Sequence, residues 1–262
     1  MAKYLIIGAG FVGLGIAQGL KQANIDYEQV DASDDIGGNW HHGVYETAHI
    51  ISSKKVTQFS HFPMPDNYPN FPSGKQIKAY LDRFADHFQL RKHIELNTLV
   101  IKVLPIANNQ WQVTLQDTDN HHETRIYQGI IICNGHHWCQ KFPQFEGEFT
   151  GEIIHSKEYK QPQQLQGKKV LVIGGGNSAC DIASEAGRVA EKSILSLRES
   201  VWFLPKSFAG IPLTDIIQGW MPQWLQRLLC HGIIRLTFGT HESYGLKTPT
   251  YQLFRKHPTL NN

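Results

Sequence analysis

Apolar positions in this chain form two kinds of pattern. Short unbroken runs closed by glycine stand at Lys3 to Ile7 and again at Lys169 to Ile173. Such a run predicts a strand buried on both faces, as in a parallel sheet. Each run leads through glycines into helix formers, from Leu14 to Lys21 and from the second loop to about Ala190. Each helix is followed by another strand, Tyr27 to Val30 and Ser193 to Leu197. Strand, glycine turn, helix and strand is the order of a nucleotide-binding βαβ unit.

Between the two units the period changes. Gly74 to Gln89 carries apolar residues at helical spacing and predicts an amphipathic helix. Thr98 to Leu104 and Trp111 to Gln116 alternate apolar with polar, separated by "ANNQ", and predict an antiparallel excursion. Arg125 to Cys133 predicts one further strand, entering the buried run "GIIIC" and ending in "NGHHW". The expected fold is α/β, with two Rossmann-like domains and a small antiparallel β excursion in a three-layer arrangement. The expected boundaries are 1–160 for the first dinucleotide domain and 161–262 for the second.

Composition narrows the class. With 41% hydrophobic and 18% charged residues, the chain reads as a globular protein with a real core. A net charge of +2 over 262 residues, without a Lys/Arg cluster, excludes a nucleic-acid partner. Cys133, Cys139, Cys180 and Cys230 have no CxxC spacing and read as reduced thiols of a cytoplasmic protein. The N-terminal apolar run passes straight into a glycine loop, unlike a signal peptide. Ile211 to Leu236 is broken by Asp215, Gln218, Pro222, Gln226, Arg227 and His231, too polar to cross a bilayer. It reads as a buried amphipathic helix pair, with peripheral membrane contact as the alternative. Most of the 14 histidines read as surface residues. The pairs His41-His42, His121-His122 and His136-His137 lack carboxylate or thiol partners at ligand spacing, so no metal is expected.

The first loop is "GAGFVG": Gly8, Ala9, Gly10, Phe11, Val12 and Gly13. Gly8 permits the tight turn, Gly10 lets a pyrophosphate reach the backbone, and Gly13 allows close packing of helix on strand. The helix N-terminus faces the negative charge. Asp31, 18 residues after Gly13, suits the ribose of FAD or NAD equally. The following "DIGGNW", with Gly38, Asn39 and Trp40, favours FAD, because a second glycine pair admits a ligand extending further along the sheet. Its alternative is a simple Gly-Gly turn. Val100, on the first alternating strand, and the small residues Asn134 and Gly135 complete the expected FAD contacts. The second loop, "GGGNSA", places Gly174, Gly176, Asn177, Ser178 and Ala179 in a GxGxxA pattern. There the position equivalent to Asp31 is Leu197, followed by Arg198, whose guanidinium can pair with a ribose phosphate. This favours NADPH over NADH, with Lys206 as a second phosphate contact. Glu199 beside Arg198 weighs against it, and a solvated strand end is the alternative.

The stretch "FTGEIIHSKEY", Phe149 to Tyr159, has FxGxxxHxxxY spacing and matches the identifying motif of the flavin-containing monooxygenases. The chain resembles that family also at Gly8 to Gly13, at Gly37 to Trp40, at Gly174 to Ala179, and over Ile51 to Ser73, similar to its flavin-lining segment. The likeness runs from about Lys3 to Lys206 and is weaker beyond. It implies that NADPH reduces FAD and that dioxygen adds to the flavin as a hydroperoxide. One oxygen atom then passes to a nucleophilic nitrogen or sulfur of a small substrate. Related Baeyer–Villiger ketone monooxygenases usually carry Trp at the last motif position, so Tyr159 points to the nitrogen/sulfur branch. His155 is expected to organise the inter-domain link.

Two departures stand out. Where many members have Asn before "SSK", this chain has Ile51, which donates nothing. Asn39, His49 or Ser52 would have to take over beside the oxygenated flavin. The chain also ends at "HPTLNN" without the family's return strand, so it is either a fragment or lacks part of both sheets. A fragment would expose apolar sheet edge. Two other readings remain. A flavin disulfide reductase would need a redox-active pair, and Cys133 and Cys139 are six positions apart. A truncated, non-catalytic nucleotide-binding module would lack bound flavin.

Overall fold

The computed structural model describes residues 3–136, 138–255 and 259–261. In chain order the elements begin β1 (Tyr4–Ile7), α1 (Phe11–Gln22), β2 (Tyr27–Val30), α2 (Lys54–Thr57) and α3 (Gly74–His87). The next are β3 (Ile94–Glu95), β4 (Leu99–Ile106), β5 (Gln110–Gln116), β6 (His122–Tyr127) and β7 (Gly129–Ile132). There follow β8 (Lys169–Ile173), α4 (Asn177–Val189), β9 (Lys192–Ser196), β10 (Phe203–Pro205), β11 (Ser207–Phe208) and β12 (Ile211–Pro212). Last come α5 (Leu213–Ile216), α6 (Gln223–Thr237) and β13 (Thr259–Asn261). Contacts divide the chain into two units. One comprises Met1–Ala48, Phe59–Pro65 and Pro72–Gln144, the other His49–Gln58, Asp66–Phe71 and Phe145–Asn262.

The first unit has a parallel sheet of order β3-β2-β1-β7. Leu5 and Val30 of that sheet are fully buried against Val113, Leu115 and Tyr127 of the antiparallel sheet β4-β5-β6. Helices α1 and α3 bury Leu14, Ala17, Ile77, Tyr80, Leu81 and Phe84. The result is the expected three-layer order. Helix α3 starts on a capping box: Ser73 accepts from Gln76 N–H, and the Gln76 side chain accepts from Ser73 N–H. Its buried residues recur at i, i+3, i+4, i+7 and i+8, one helical face. Phe59 stacks on Phe84 and Phe62 meets it edge-on, and the Tyr80 hydroxyl donates to the Phe62 carbonyl at 2.6 Å.

One expected strand is two. Residues 125–133 break at Gln128, because the N–H groups of Gln128 and Gly129 both turn to the Lys3 carbonyl, at 2.9 and 3.2 Å. The chain then leaves the antiparallel sheet as β6 and enters the parallel one as β7. Gly129 is needed there, since a Cβ would lie 2.7 Å from the Tyr4 ring.

In the second unit, β8 and β9 pair in parallel, and α4 buries Ile182, Glu185 and Ala186. On this two-stranded sheet Leu171, Ile173 and Ile194 are 58%, 52% and 47% exposed, an uncovered apolar row. A second core gathers Trp202, Leu204, Leu213, Cys230, Ile233, Ile234 and Leu253. The expected buried helix pair is not what forms. Only Leu213–Ile216 is helical before Pro222, and α6 buries only Cys230, Ile233 and Ile234. Trp224 and Leu236 stay 66% and 77% exposed, because the apolar stripe that reaches the core is narrow. Among the described residues, no helix is long and apolar enough to cross a membrane.

Candidate dinucleotide-binding sites

The first loop follows β1. Gly8 has φ +109, and a Cβ on it would lie 2.3 Å from the Cys133 carbonyl oxygen. A Cβ on Gly13 would lie 2.0 Å from the Gly8 carbonyl oxygen. Both glycines are therefore demanded by packing within the fold. Gly10 is different, because an added Cβ would meet nothing nearer than the Gly38 Cα at 3.6 Å. No side chain caps α1 at Gly10, so its first amides are left for an anion. Phe11 packs on Phe59 with ring centroids 4.6 Å apart, while Val12 is 63% exposed.

Asp31, just after β2, accepts from Ala9 N–H at 2.5 Å and from Ser33 N–H at 2.8 Å. It thereby ties the loop to the end of β2. Gly37 and Gly38 both have positive φ, and Gly37 N–H donates to the Ala9 carbonyl at 2.9 Å. The "DIGGNW" segment thus lies on the first loop. Trp40 closes a turn on Gly37, and the Asn39 amide oxygen folds over Gly43. Val100 packs into the inter-sheet core, with a bulge between it and Lys102. Asn134, next to the Gly8 position, is exposed and accepts from the Trp138 indole N–H at 2.7 Å; Gly135 has φ +68.

The second loop has the same connection. Gly174 N–H donates to the Ser196 carbonyl at 3.0 Å, as Gly8 N–H donates to Val30 at 2.8 Å. These bonds put Leu197 where the first loop has Asp31. Gly174 has φ +135, and a Cβ on Gly176 would meet nothing within 4 Å. Asn177, Ser178 and Ala179 form the uncapped first turn of α4. The Leu197 side chain lies 3.1 Å from where Gly175 would carry a Cβ, and Arg198 beside it is exposed.

The other predicted residues lie apart from this loop in the chain. Lys206 is half-buried and contacts the His49 Nε2, with its ammonium 5.9 Å from the centre of the Phe71 ring. Burial brings its pKa down to about 8. The Ser52 hydroxyl bonds that of Thr57 at 2.6 Å, and Ile51 is 44% exposed. Asn39 belongs to the other unit. An apolar cavity of about 250 Å³ in the second unit is lined by Phe203, Ile234, Phe238, His241, Tyr244 and Leu246, with no glycine-loop residue among them.

Two of the histidine pairs have carboxylate partners that their linear spacing did not suggest. His41 and His42 Nε2 lie 3.1 and 2.8 Å from the same Asp34 oxygen, and His121 Nδ1 lies 3.2 Å from Asp117. Turns bring these acids in from four to eight residues away. Asp34 is 65% exposed, and the two imidazoles hold its carboxyl below the usual carboxylate range. His137 lies outside the described residues.

Three supporting features were invisible in the motifs. Gln29, fully buried on β2, donates to the Gly8 carbonyl at 2.8 Å and holds the first turn. Asp35 bonds Lys78 at 2.8 Å and Arg91 at 3.0 Å, anchoring "DIGGNW" to α3 and the segment after it. Ser53, 1% exposed, donates to Asp215 at 2.5 Å and caps α2 through Val56 N–H. For Gln29 a signal did exist: a glutamine within an otherwise buried strand.

Two βαβ connections, each opening an uncapped helix on a glycine turn, define a protein of the dinucleotide-binding α/β class. More narrowly, the chain matches the flavin-binding monooxygenase-like family over residues 1–262 and belongs to it. It is 31% identical to flavin-containing monooxygenase 5 of Rattus norvegicus over 99% of this chain and 53% of that protein. It is 32% identical to flavin-containing monooxygenase 3 of Homo sapiens over the same shares, 99% and 53%. The chain therefore spans about half the length of the curated relatives it matches. Among solved structures, OTEMO in complex with FAD and NADP is similar at a TM-score of 0.66 and 27% identity, covering 78% of this chain and 40% of that one.

Proposed function

We propose that this chain carries the FAD and NADPH sites of a monooxygenase that delivers one oxygen atom of O2 to a nucleophilic nitrogen or sulfur of a small organic substrate. The observation that carries this reading is the space at Gly10 and Gly176. A Cβ on either would meet no atom of the fold nearer than 3.6 Å, which supports reading the two helix-opening glycines as leaving space for a pyrophosphate. FAD, when bound, supplies the redox and oxygen chemistry, and NADPH supplies the hydride.

In this reading residues 1–160 serve FAD and 161–262 serve NADPH. The amides of Phe11, Val12 and Gly13 hold the flavin pyrophosphate, and Gly8, Ala9 and Gly10 shape the turn beneath it. Two of the Asp31 lone-pair positions are taken by Ala9 and Ser33, which leaves acceptors for a ribose hydroxyl. Gly38, Asn39, Trp40, Asn134, Gly135 and the Val100 backbone follow the ligand outward. On the other loop, Gly174 and Gly176 admit a pyrophosphate to the amides of Asn177, Ser178 and Ala179, and Arg198 takes the ribose phosphate. Lys206 is the second phosphate candidate; burial lowers its pKa to about 8, which leaves the ammonium mostly charged at pH 7. Asn39, His49 and Ser52 are the candidates for protecting oxygen chemistry in place of an amide at Ile51. The four free thiols favour a reducing, cytoplasmic setting.

The test is Gly10→Val. The variant is expected to fold, by circular dichroism, and to lose at least nine tenths of its bound flavin. Full flavin content in folded Gly10→Val would sink the FAD assignment. Colourless wild-type protein would favour a non-catalytic module instead. For the oxygenation step, wild type is expected to oxidise NADPH with much hydrogen peroxide and little product, and Ile51→Asn to shift the balance toward product. Tight coupling in the wild type would remove that role from Ile51.

A further inference from the structure

The last residue of the FxGxxxHxxxY stretch is unusual for an aromatic near a turn: Tyr159 is 1% exposed, and its hydroxyl donates to the carboxylate of Glu185 on α4. Glu185 is itself 8% exposed, at i+3 from Ile182 and beside Ala186 on the one buried face of that helix. A buried carboxylate is costly to leave without hydrogen bonds, and the Tyr159 hydroxyl supplies one of them. Burial, and then the carboxylate, raise the phenol pKa and keep the donor proton in place.

The motif's other polar residue builds the turn that delivers the tyrosine. The His155 carbonyl accepts from Glu158 N–H at 2.8 Å and from Tyr159 N–H at 3.3 Å, and its Nδ1 accepts from Lys157 N–H at 3.1 Å. Glu158 returns a carboxylate to His155 N–H at 3.0 Å. Beyond the tyrosine, the Gln164 side chain accepts from Lys160 and Gln161 N–H at 2.5 and 3.0 Å, closing the next turn. Tyr159 is therefore a side chain on a locked turn, aimed at one point on α4.

We propose that Tyr159 and Glu185 form a strut that sets the rotation of α4, and through it the position of the amides at Gly176 to Ala179. The strut rests on the reading of that loop as a dinucleotide site. Helix α4 also buries Ile182 and Ala186, and Ser193 donates to the Ala183 carbonyl at 3.2 Å. Apolar contacts tolerate sliding, whereas a directional hydrogen bond from a fixed turn does not. Tyr159 is thus a positioning residue, and what its site requires is a large ring with a donor at its far edge. Phenylalanine keeps the ring and loses the donor, whereas a glutamine at 185 keeps an acceptor oxygen at the carboxylate's reach.

The experiment compares wild type with Tyr159→Phe, Glu185→Gln and Glu185→Ala in the full chain, by two readouts. The first is binding of NADP+ by titration calorimetry; the second is hydrogen exchange over residues 174–183. Tyr159→Phe and Glu185→Ala are expected to weaken NADP+ binding about tenfold and to speed exchange over 174–183 by a similar factor. Glu185→Gln, which keeps an acceptor for the Tyr159 hydroxyl, is expected to stay within about threefold of wild type. Unchanged exchange over 174–183 in both Tyr159→Phe and Glu185→Ala overturns the strut, as does a Glu185→Gln variant no better than Glu185→Ala. If only one of the two variants folds, its exchange decides alone. Should wild type bind no NADP+, the dinucleotide reading fails, while the exchange comparison still judges the strut.

Discussion

The two glycine loops share a connection and differ in what closes it. At the first, a carboxylate from the end of β2 reaches back to Ala9 N–H, and Gln29 holds the Gly8 carbonyl from below. At the second, the corresponding residue is Leu197, whose side chain lies 3.1 Å from where Gly175 would carry a Cβ. The helix positions differ too. Gly13 packs so tightly that a methyl group would overlap the Gly8 oxygen, whereas Ala179 already carries one. A turn held by hydrogen bonds and close backbone contact resists change. The second turn shares the backbone bond, from Gly174 N–H to the Ser196 carbonyl at 3.0 Å, and is followed by an exposed arginine. The same contrast separates their surroundings: a four-stranded sheet covered on both faces against a two-stranded one with an exposed apolar row.

The contrast breaks most sharply at Gly13. Gly13→Ala is expected to destabilise the first unit by about 3 kcal/mol, because the clash is with backbone that cannot rotate away. Urea titration followed by circular dichroism checks this. A loss below about 1 kcal/mol would mean the first turn is as yielding as the second. Next is Arg198→Ala, expected to raise the Michaelis constant for NADPH roughly ten- to hundredfold and leave NADH almost unchanged. That is the loss of a charge-assisted contact of about 1.5 to 3 kcal/mol. Steady-state flavin reduction with both cofactors decides, and equal weakening of the two would shift the phosphate role away from Arg198.

Ala179→Gly should cost only about 1 kcal/mol, the helix-propensity difference, in the same denaturant experiment. The smallest effect concerns Asp35. Burial alone would raise its pKa, but Lys78, the Ile36 N–H and Arg91 hold it at about 2. A carboxyl depressed in the folded state stabilises fully above its unfolded pKa of about 4 and loses that contribution as pH falls through 2. Since the side chain is 33% exposed, the contribution is discounted to about 1 kcal/mol. Asp35→Asn should therefore lower stability at pH 7 and flatten its decline between pH 4 and pH 2. An unchanged acid limb of the denaturation curve would remove Asp35 from the support of the first loop.

Much of this was legible in the chain itself. Tyr27 to Val30, Lys169 to Ile173 and the α3 face were readable because buried strands and amphipathic helices need apolar residues at fixed periods. The segment 125–133 was misread because both halves are apolar and strand-like. Only the Lys3 carbonyl, far away in sequence, divides them between two sheets. The histidine pairs misled for a related reason: spacing along the chain does not register an acid returned by a turn.

By itself, then, the sequence determined the two glycine turns, their flanking strands and helices, and the residue following each second strand. Those features follow from local rules of backbone freedom and side-chain period, which act within a few residues. Tertiary structure alone decided the partners: Gln29 beneath Gly8, Lys78 and Arg91 on Asp35, Asp215 on Ser53, Lys206 against His49, and Glu185 on Tyr159. A buried polar group must find a complement wherever the chain brings one. No period or spacing encodes which residue, up to 162 positions distant, that will be.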